Sequence, residues 1–256
     1  MIELIASDGH AFSAYRADPV GEPKGAVVVL QELFGVNAHI RKIVDDFALR
    51  GYVAIAPALF DRVQPDVALG YDEEGFAAGL ALLEQLDDEK ALNDVQAAVE
   101  AVKDTGKVAL VGYSCGGYLA YAAANAVTGI ACVIAYYGPG IVEAYGEKRK
   151  VPILLHFGEK DPLIPLEQVE QFRASRPNVS AFTYPDATHG FNCEERGSYH
   201  AASAQQALER TLFWIAQFVE GQTPLLMKNS GMYAQAKVEK KKSKKSADDD
   251  LGPPLD

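Results

Sequence analysis

Cysteine is scarce in this sequence. Its 256 residues include three, Cys115, Cys132 and Cys193, odd in number and far apart. That pattern argues against a disulfide framework and against a zinc site held by thiolates. Reduced thiols fit a cytoplasmic protein, which is the expected location. Basic residues are also short: 24 Lys and Arg face 35 Asp and Glu, for a formal net charge of −11. Through residue 220 the imbalance is sharper, with 17 basic residues against 30 acidic ones. An acidic body repels phosphate backbones and anionic lipid heads, so neither nucleic acid nor membrane is an expected partner. The segment Met1–His10 has no basic region followed by an apolar stretch, so no secretory signal is expected. The uncharged run Tyr118–Gly138 is long enough to suggest a membrane span, but Asn125, Thr128 and Gly129 break it. It reads as a helix, a turn and a buried strand.

What is present is apolar residue in short, well-punctuated runs. Hydrophobic residues make up 48% of the chain, enough for one large core. Ala26–Leu30, Val53–Pro57, Val108–Gly112, Ala131–Tyr137, Val151–Gly158 and Val179–Tyr184 read as buried strands. Ala38–Arg50, Ser114–Ala126, Leu166–Arg176 and Ser203–Glu220 read as helices, and Ile2–Ser7 with Ala11–Ala17 as a hairpin across Asp8-Gly9. Alternating strands and helices predict an α/β class with a mostly parallel sheet covered on both faces. The domain is expected to span residues 1–220. Residues 221–256 read as a charged, low-complexity, disordered tail, with a basic block at Lys240–Lys245 followed by Asp248–Asp250. Nothing in the sequence sets the oligomeric state, and a monomer is consistent with it.

The segment Gly112-Tyr113-Ser114-Cys115-Gly116-Gly117 follows the strand VALVG and opens a helix. It is a G-x-S-x-G nucleophile elbow in its expected context. A strand-to-helix turn this tight strains its central residue, and glycines two before and two after leave room for helix and strand to approach. Ser114 is the candidate nucleophile, lifted above the carboxyl end of the sheet. Cys115 competes in principle, because thiolates are better nucleophiles. Its side chain is expected off the elbow axis, with its backbone N–H serving instead as an oxyanion donor.

A serine hydroxyl needs a base. Of five histidines, His156 sits within an apolar run and reads as a core residue, and His10 and His200 read as surface residues. His39 could line a pocket but precedes the elbow. His189, in Asp186-Ala187-Thr188-His189-Gly190-Phe191, follows a strand on a loop able to fold over the elbow. Asp161, straight after Val151–Gly158, can accept the imidazole N–H and fix its tautomer. The chain order Ser114, Asp161, His189 suits this arrangement. Asp186 is the rival orienter, with a turn as its simpler explanation. The second oxyanion donor is expected from the loop Gln31–Gly35, with Leu33 N–H as the choice. Losing one such donor typically costs ~3 kcal/mol of transition-state stabilisation.

The loop Gln31–Asn37 (QELFGVN), the elbow, Tyr136-Tyr137-Gly138, Gly158–Pro165 and His189-Gly190-Phe191 occur in the order and spacing of one family. Over about residues 1–220 the chain resembles dienelactone hydrolases (carboxymethylenebutenolidases). The resemblance implies an α/β-hydrolase fold, a small-molecule ester or lactone substrate and an acyl-enzyme, without metal or organic cofactor. The family usually has cysteine where this chain has Ser114, and a glutamate at the position of Glu32 helps to deprotonate that thiol. A hydroxyl is far less acidic, so Glu32 is expected to shape the pocket or hold Arg196. The family also anchors a substrate carboxylate through an arginine with nearby aromatics, at positions that correspond to Phe76, Leu80 and Leu83. From Ala68 to Glu89 there is no Lys or Arg. The expected pocket residues are therefore Glu32, Phe34, Phe76, Leu80, Tyr137, Phe191 and Arg196. Neutral, moderately apolar esters are expected over carboxylates, with Arg196 as the alternative anion anchor. Competing readings are a general carboxylesterase or acyl transferase, and a catalytically silent binding protein on the same fold.

Removing residues 222–256 is expected to change neither Tm nor kcat/KM beyond error. A fall of several degrees in a thermal melt would show that the tail docks on the domain.

Overall fold

The computed structural model describes residues 1–144 and 150–221; the Lys-rich segment read as a tail lies outside them. Eight strands form one sheet: β1 (Ile2–Ile5), β2 (Ala11–Ala17), β3 (Ala26–Leu30), β4 (Val53–Pro57), β5 (Val108–Tyr113), β6 (Ile130–Tyr136), β7 (Ile153–Gly158) and β8 (Ser180–Tyr184). Their order is β1-β2-β4-β3-β5-β6-β7-β8. The pairings of β2 with β1 and with β4 are antiparallel, and those from β4 through β8 are parallel. This is the α/β-hydrolase fold. Every residue of β3, β4, β5 and β7 is buried, as strands covered on both faces must be.

The chain reverses its direction of travel across the sheet between β3 and β5. From β3 it steps to β4 on one side, then returns to place β5 on the other. The carboxyl ends of β3 and β5 therefore flank a crevice, the place where open α/β sheets bind ligands. Right-handed crossovers put the connecting helices on opposite faces. One face carries α1 (Ala38–Leu49) and α6 (Ala201–Phe218), which together line a small cavity. The other carries α3 (Asp88–Glu100), α4 (Cys115–Ala126) and α5 (Leu166–Ser175). The α4 and α5 helices meet through Tyr121 and Phe172, whose rings are 6.3 Å apart. The uncharged run after Tyr118 is the end of α4, a turn at Gly129 and strand β6. Among the described residues no helix is long and apolar enough to cross a membrane.

Two helices lay outside the sequence reading, α2 (Glu73–Leu83) and α3. The α2 helix contains two glycines and has apolar residues around most of its circumference, so its periodicity is weak. The caps are nonetheless local and regular. Asp72 accepts the Gly75 N–H at 2.8 Å, and Asp87 accepts the Lys90 N–H at 3.0 Å.

A buried ion pair ties α3 to the segment that follows β4. Arg62 Nε and Nη2 donate to Asp94 Oδ2 and Oδ1, both at 2.7 Å, and Nη1 reaches Asp8 Oδ2 at 2.9 Å. The Asp94 side chain is fully buried. Asp94→Ala would leave a buried guanidinium short of its main partner. It is expected to cost about 3–5 kcal/mol in urea denaturation, and a loss below ~1 kcal/mol would mean that Asp8 and solvent suffice.

Candidate active site

The turn from β5 into α4 holds Ser114 at φ 52°, ψ −120°. A non-glycine residue rarely adopts that region, and adopts it only where its surroundings over-determine it. The surroundings here are main chain. A Cβ on Gly112 would lie 2.0 Å from the Gly116 oxygen, and one on Gly116 would lie 2.3 Å from the Gln31 oxygen. The elbow therefore packs backbone to backbone against the loop that leaves β3.

Three side chains meet above this turn. Ser114 Oγ lies 2.9 Å from His189 Nε2, and His189 Nδ1 lies 2.9 Å from Asp161 Oδ2. With Nδ1–H donating to the carboxylate, Nε2 is left to accept the serine hydroxyl. Asp161 is buried, and its Oδ1 accepts the Leu163 N–H at 2.9 Å, so its own loop after β7 holds one oxygen while His189, on the loop after β8, holds the other. The loops after β7 and β8 are joined directly: Lys160 N–H donates to the Ala187 oxygen and Glu159 N–H to the Tyr184 oxygen. A hydroxyl, an imidazole and a carboxylate in this sequence of hydrogen bonds can pass a proton from an attacking oxygen to a leaving group. Asp186, the other candidate orienter, is exposed at φ 63° and pairs with Lys160 Nζ at 2.6 Å.

Cys115 opens α4, so its N–H has no acceptor within the helix. Leu33 lies across the crevice, and its N–H has no backbone acceptor among the described residues. Its carbonyl is covered by Gly79 of α2, where a Cβ would come within 2.4 Å. The Cys115 thiol faces the Gln31 carbonyl at 3.8 Å, whereas His189 Nε2 bonds Ser114 Oγ. Burial and the nearby Glu32 carboxylate push its pKa up to about 12.

The remaining expected site residues divide by position. Glu32 is buried behind the site. Its Oε1 accepts the Tyr137 hydroxyl at 3.0 Å, and burial raises its pKa against the positive field of Arg196. Among the described residues Arg196 makes no ion pair with Glu32; its guanidinium stacks over the rings of Phe34 and Tyr71, at 5.6 and 5.9 Å. Tyr137 and Phe191 are fully buried. They support the site from behind rather than line it: Tyr137 packs edge-on against the His189 ring at 5.1 Å, and Phe191 packs on Tyr137. Phe34 is buried under Tyr71. Phe76 and Leu80 are 46% and 40% exposed on α2, on either side of Gly79. Neither lines the small cavity between α1 and α6 nor a larger one of about 560 Å³ beside Cys115, whereas Leu83 lines the latter. His156 is a core residue, bonded to Tyr184 and Thr211.

Sequence reasoning did not select Tyr71 or Cys193. Tyr71 bonds Cys193 and feels the Glu32 carboxylate, so three distant segments meet behind the site, and those of Tyr71 and Cys193 carry no local signal for it. Glu32, His39 and Cys193, all buried, each offer one ligand atom within 4.8 Å of the others. Their chemistry does not favour a cation. Arg196 acts electrostatically on all three. Burial holds His39 down to about 4 and pushes Cys193 up to about 11.

Residues 12–219 match the family model described as the dienelactone hydrolase family. A provisionally named carboxymethylenebutenolidase of Synechocystis sp. is 34% identical over 226 residues, covering 80% of this chain and 92% of the relative. A carboxymethylenebutenolidase of Pseudomonas putida is 32% identical over 225 residues, covering 84% and 95%. The crystal structure of a provisionally assigned dienelactone hydrolase from Klebsiella pneumoniae superposes with a TM-score of 0.72 at 29% identity, covering 84% of this chain and 98% of that one.

The raised thiol pKa values give a direct test of Cys115. A thiol with a pKa near 12 is about one part in ten thousand thiolate at pH 8. Cys115 is therefore expected to react with a thiol-disulfide reagent at least about a hundredfold more slowly than a free thiol, as read by peptide mapping. Stoichiometric labelling of Cys115 with parallel loss of hydrolysis would return the nucleophile to the thiol.

Proposed function

The chain belongs to the dienelactone hydrolase family, and from that membership we propose that it cleaves a carboxylic ester or lactone through an acyl-enzyme on Ser114. The observation that carries this reading is the unbroken line Ser114 Oγ–His189 Nε2–Asp161 Oδ2, with both links at 2.9 Å.

Ser114 Oγ attacks the substrate carbonyl carbon and gives its proton to His189 Nε2. The imidazolium so formed is stabilised by Asp161, which keeps its own charge. The carbonyl oxygen becomes an oxyanion and accepts from the N–H groups of Cys115 and Leu33. When the intermediate collapses, the carbon–oxygen bond to the alcohol breaks and His189 returns its proton to the leaving oxygen. Water then attacks the acyl-enzyme with His189 again as base, releasing the acid and restoring the hydroxyl. In a lactone the leaving oxygen stays attached through the acyl chain, and water releases a single hydroxy acid.

Glu32 has a different task with serine than with a thiol. A buried carboxylate of raised pKa does not deprotonate an alkyl hydroxyl. Its bond from Tyr137, which packs against the His189 ring, supports a positioning role for the imidazole. A broader carboxylesterase reading is favoured by one observation: Ala68–Glu89 contains no Lys or Arg to anchor a lactone carboxylate. A panel of lactones and linear esters separates the two readings by kcat/KM.

Ser114→Ala and His189→Ala are each expected to lower kcat by about 10⁴ or more, and the double variant little further, because residues acting as one unit are non-additive. A fluorophosphonate should label wild type and fail on Ser114→Ala. Retention of more than about a tenth of kcat in Ser114→Ala, or multiplicative losses in the double variant, would overturn the assignment. A wild-type protein that resists the label and turns over no ester would be a silent binder.

A further inference from the structure

A cavity of about 560 Å³ opens beside the elbow, with Cys115 and Gly116 in its lining and no described residue of the His189 loop. Its floor is Cys115, Gly116 and Leu119 of α4, and Leu59 and Phe60 after β4; Leu83 and Leu86, at the end of α2, close one wall. The volume falls in the range of small-molecule pockets, and most of the lining is apolar. Where the cavity meets solvent, Asp87, Asp88 and Glu89 stand together at the start of α3. Among the described residues no Lys, Arg or His lines it.

The position of the cavity relative to the three catalytic candidates decides which part of a substrate reaches it. The leaving oxygen must lie within hydrogen-bond reach of His189 Nε2 to take its proton. The carbonyl oxygen must face the Cys115 N–H. None of the cavity's described lining residues comes from the loop 186–200 that carries His189, whereas Cys115 and Gly116, next in the chain after Ser114, both line it. The substituent that runs from the carbonyl carbon past Cys115, away from His189, is the acyl group. We propose that this cavity is the acyl pocket, that it takes an apolar acyl chain with a neutral or cationic far end, and that it rejects a chain ending in a carboxylate. The proposal rests on Ser114 as the nucleophile.

The charge preference follows from what stands at the mouth. A terminal carboxylate would leave water beside three like charges and meet no cation among the described lining residues, a cost that apolar packing does not return. Asp88 already registers this environment: its pKa is raised, first by desolvation and then by the adjacent Asp87 carboxylate. A terminal ammonium would meet those carboxylates favourably at the rim. The cationic side of the site, Arg196 over Phe34 and Tyr71, lies toward the loop of His189 and so toward the leaving group. Acidic groups on the acyl side and on the alcohol side of one ester are therefore expected to behave differently.

The test uses the full-length protein and four p-nitrophenyl esters that share a leaving group: acetyl, hexanoyl, 6-ammoniohexanoyl and the half-ester of adipic acid. The expected kcat/KM for hexanoyl exceeds that for acetyl by at least about tenfold, from burial of the added methylenes. The adipic half-ester is expected at least about tenfold below hexanoyl, with the ammonium ester at or above hexanoyl. In the variant Asp88→Asn, Glu89→Gln, the deficit of the adipic half-ester should shrink several-fold at low ionic strength. In Leu83→Trp the hexanoyl-to-acetyl ratio should fall toward unity. Leu83 also packs near Phe60 and Leu82, so a thermal melt accompanies that variant, and the rim variant tests the proposal where Leu83→Trp does not fold. An adipic half-ester that matches hexanoyl in wild type would overturn the charge preference. A chain-length preference that survives a folded Leu83→Trp would overturn the location. Failure of the underlying serine reading looks different: no ester, acetyl included, would depend on Ser114.

Discussion

The close approach of three backbone segments at the elbow is the constraint on which the rest of the site depends. Gly112, Gly116 and the main chain of Gln31 are in contact at distances that no side chain could share. That contact holds Ser114 in its left-handed conformation and brings the loop after β3 to the start of α4. Both proposed oxyanion donors follow from it, since Leu33 sits on one of these segments and Cys115 on the other. The strain at Ser114 is offset by the burial of β3 and β5 around it. A serine at the end of a relaxed turn would not keep its hydroxyl 2.9 Å from His189.

The electrostatics of the site are those of a partly dehydrated pocket with one carboxylate kept apart from its obvious counter-charge. Glu32 is held by the Tyr137 hydroxyl, while Arg196 lies flat on two aromatic rings and acts on Glu32 without an ion pair. The same burial raises the thiols of Cys115 and Cys193. On the far side of Cys115 the chain changes character again, from an apolar cavity to an acidic mouth. The charge asymmetry across the elbow runs from Arg196 to Asp88 and bears on which end of an ester is admitted.

The sheet and most of its helices were legible because each signal is local. Buried parallel strands are continuous apolar runs, and AVVVL, VALVG and VAIAP contain little else. The elbow was legible because a tight strand-to-helix turn demands glycines at fixed offsets. The α2 and α3 helices were not assigned, because α2 interrupts its own periodicity with glycines and α3 buries a charge, Asp94, that a pattern reading places outside. Phe76 and Leu80 were expected in the pocket wall by an ungapped match. Their exposure on α2 follows from the seating of Gly79 on Leu33, a contact between segments about 46 residues apart.

By itself the sequence determined the α/β class, the order of its elements and the residue types able to do acyl-transfer chemistry. Those depend on spacing along the chain, where each apolar run, cap or glycine acts on its neighbours. Only the tertiary structure decided which groups meet. It put Tyr137 rather than Arg196 against Glu32, and Leu83 but not Phe76 into the cavity beside Cys115. Such pairings bring together loops from different strands, and their distances are set by how helices seat on a twisted sheet, which no local pattern encodes.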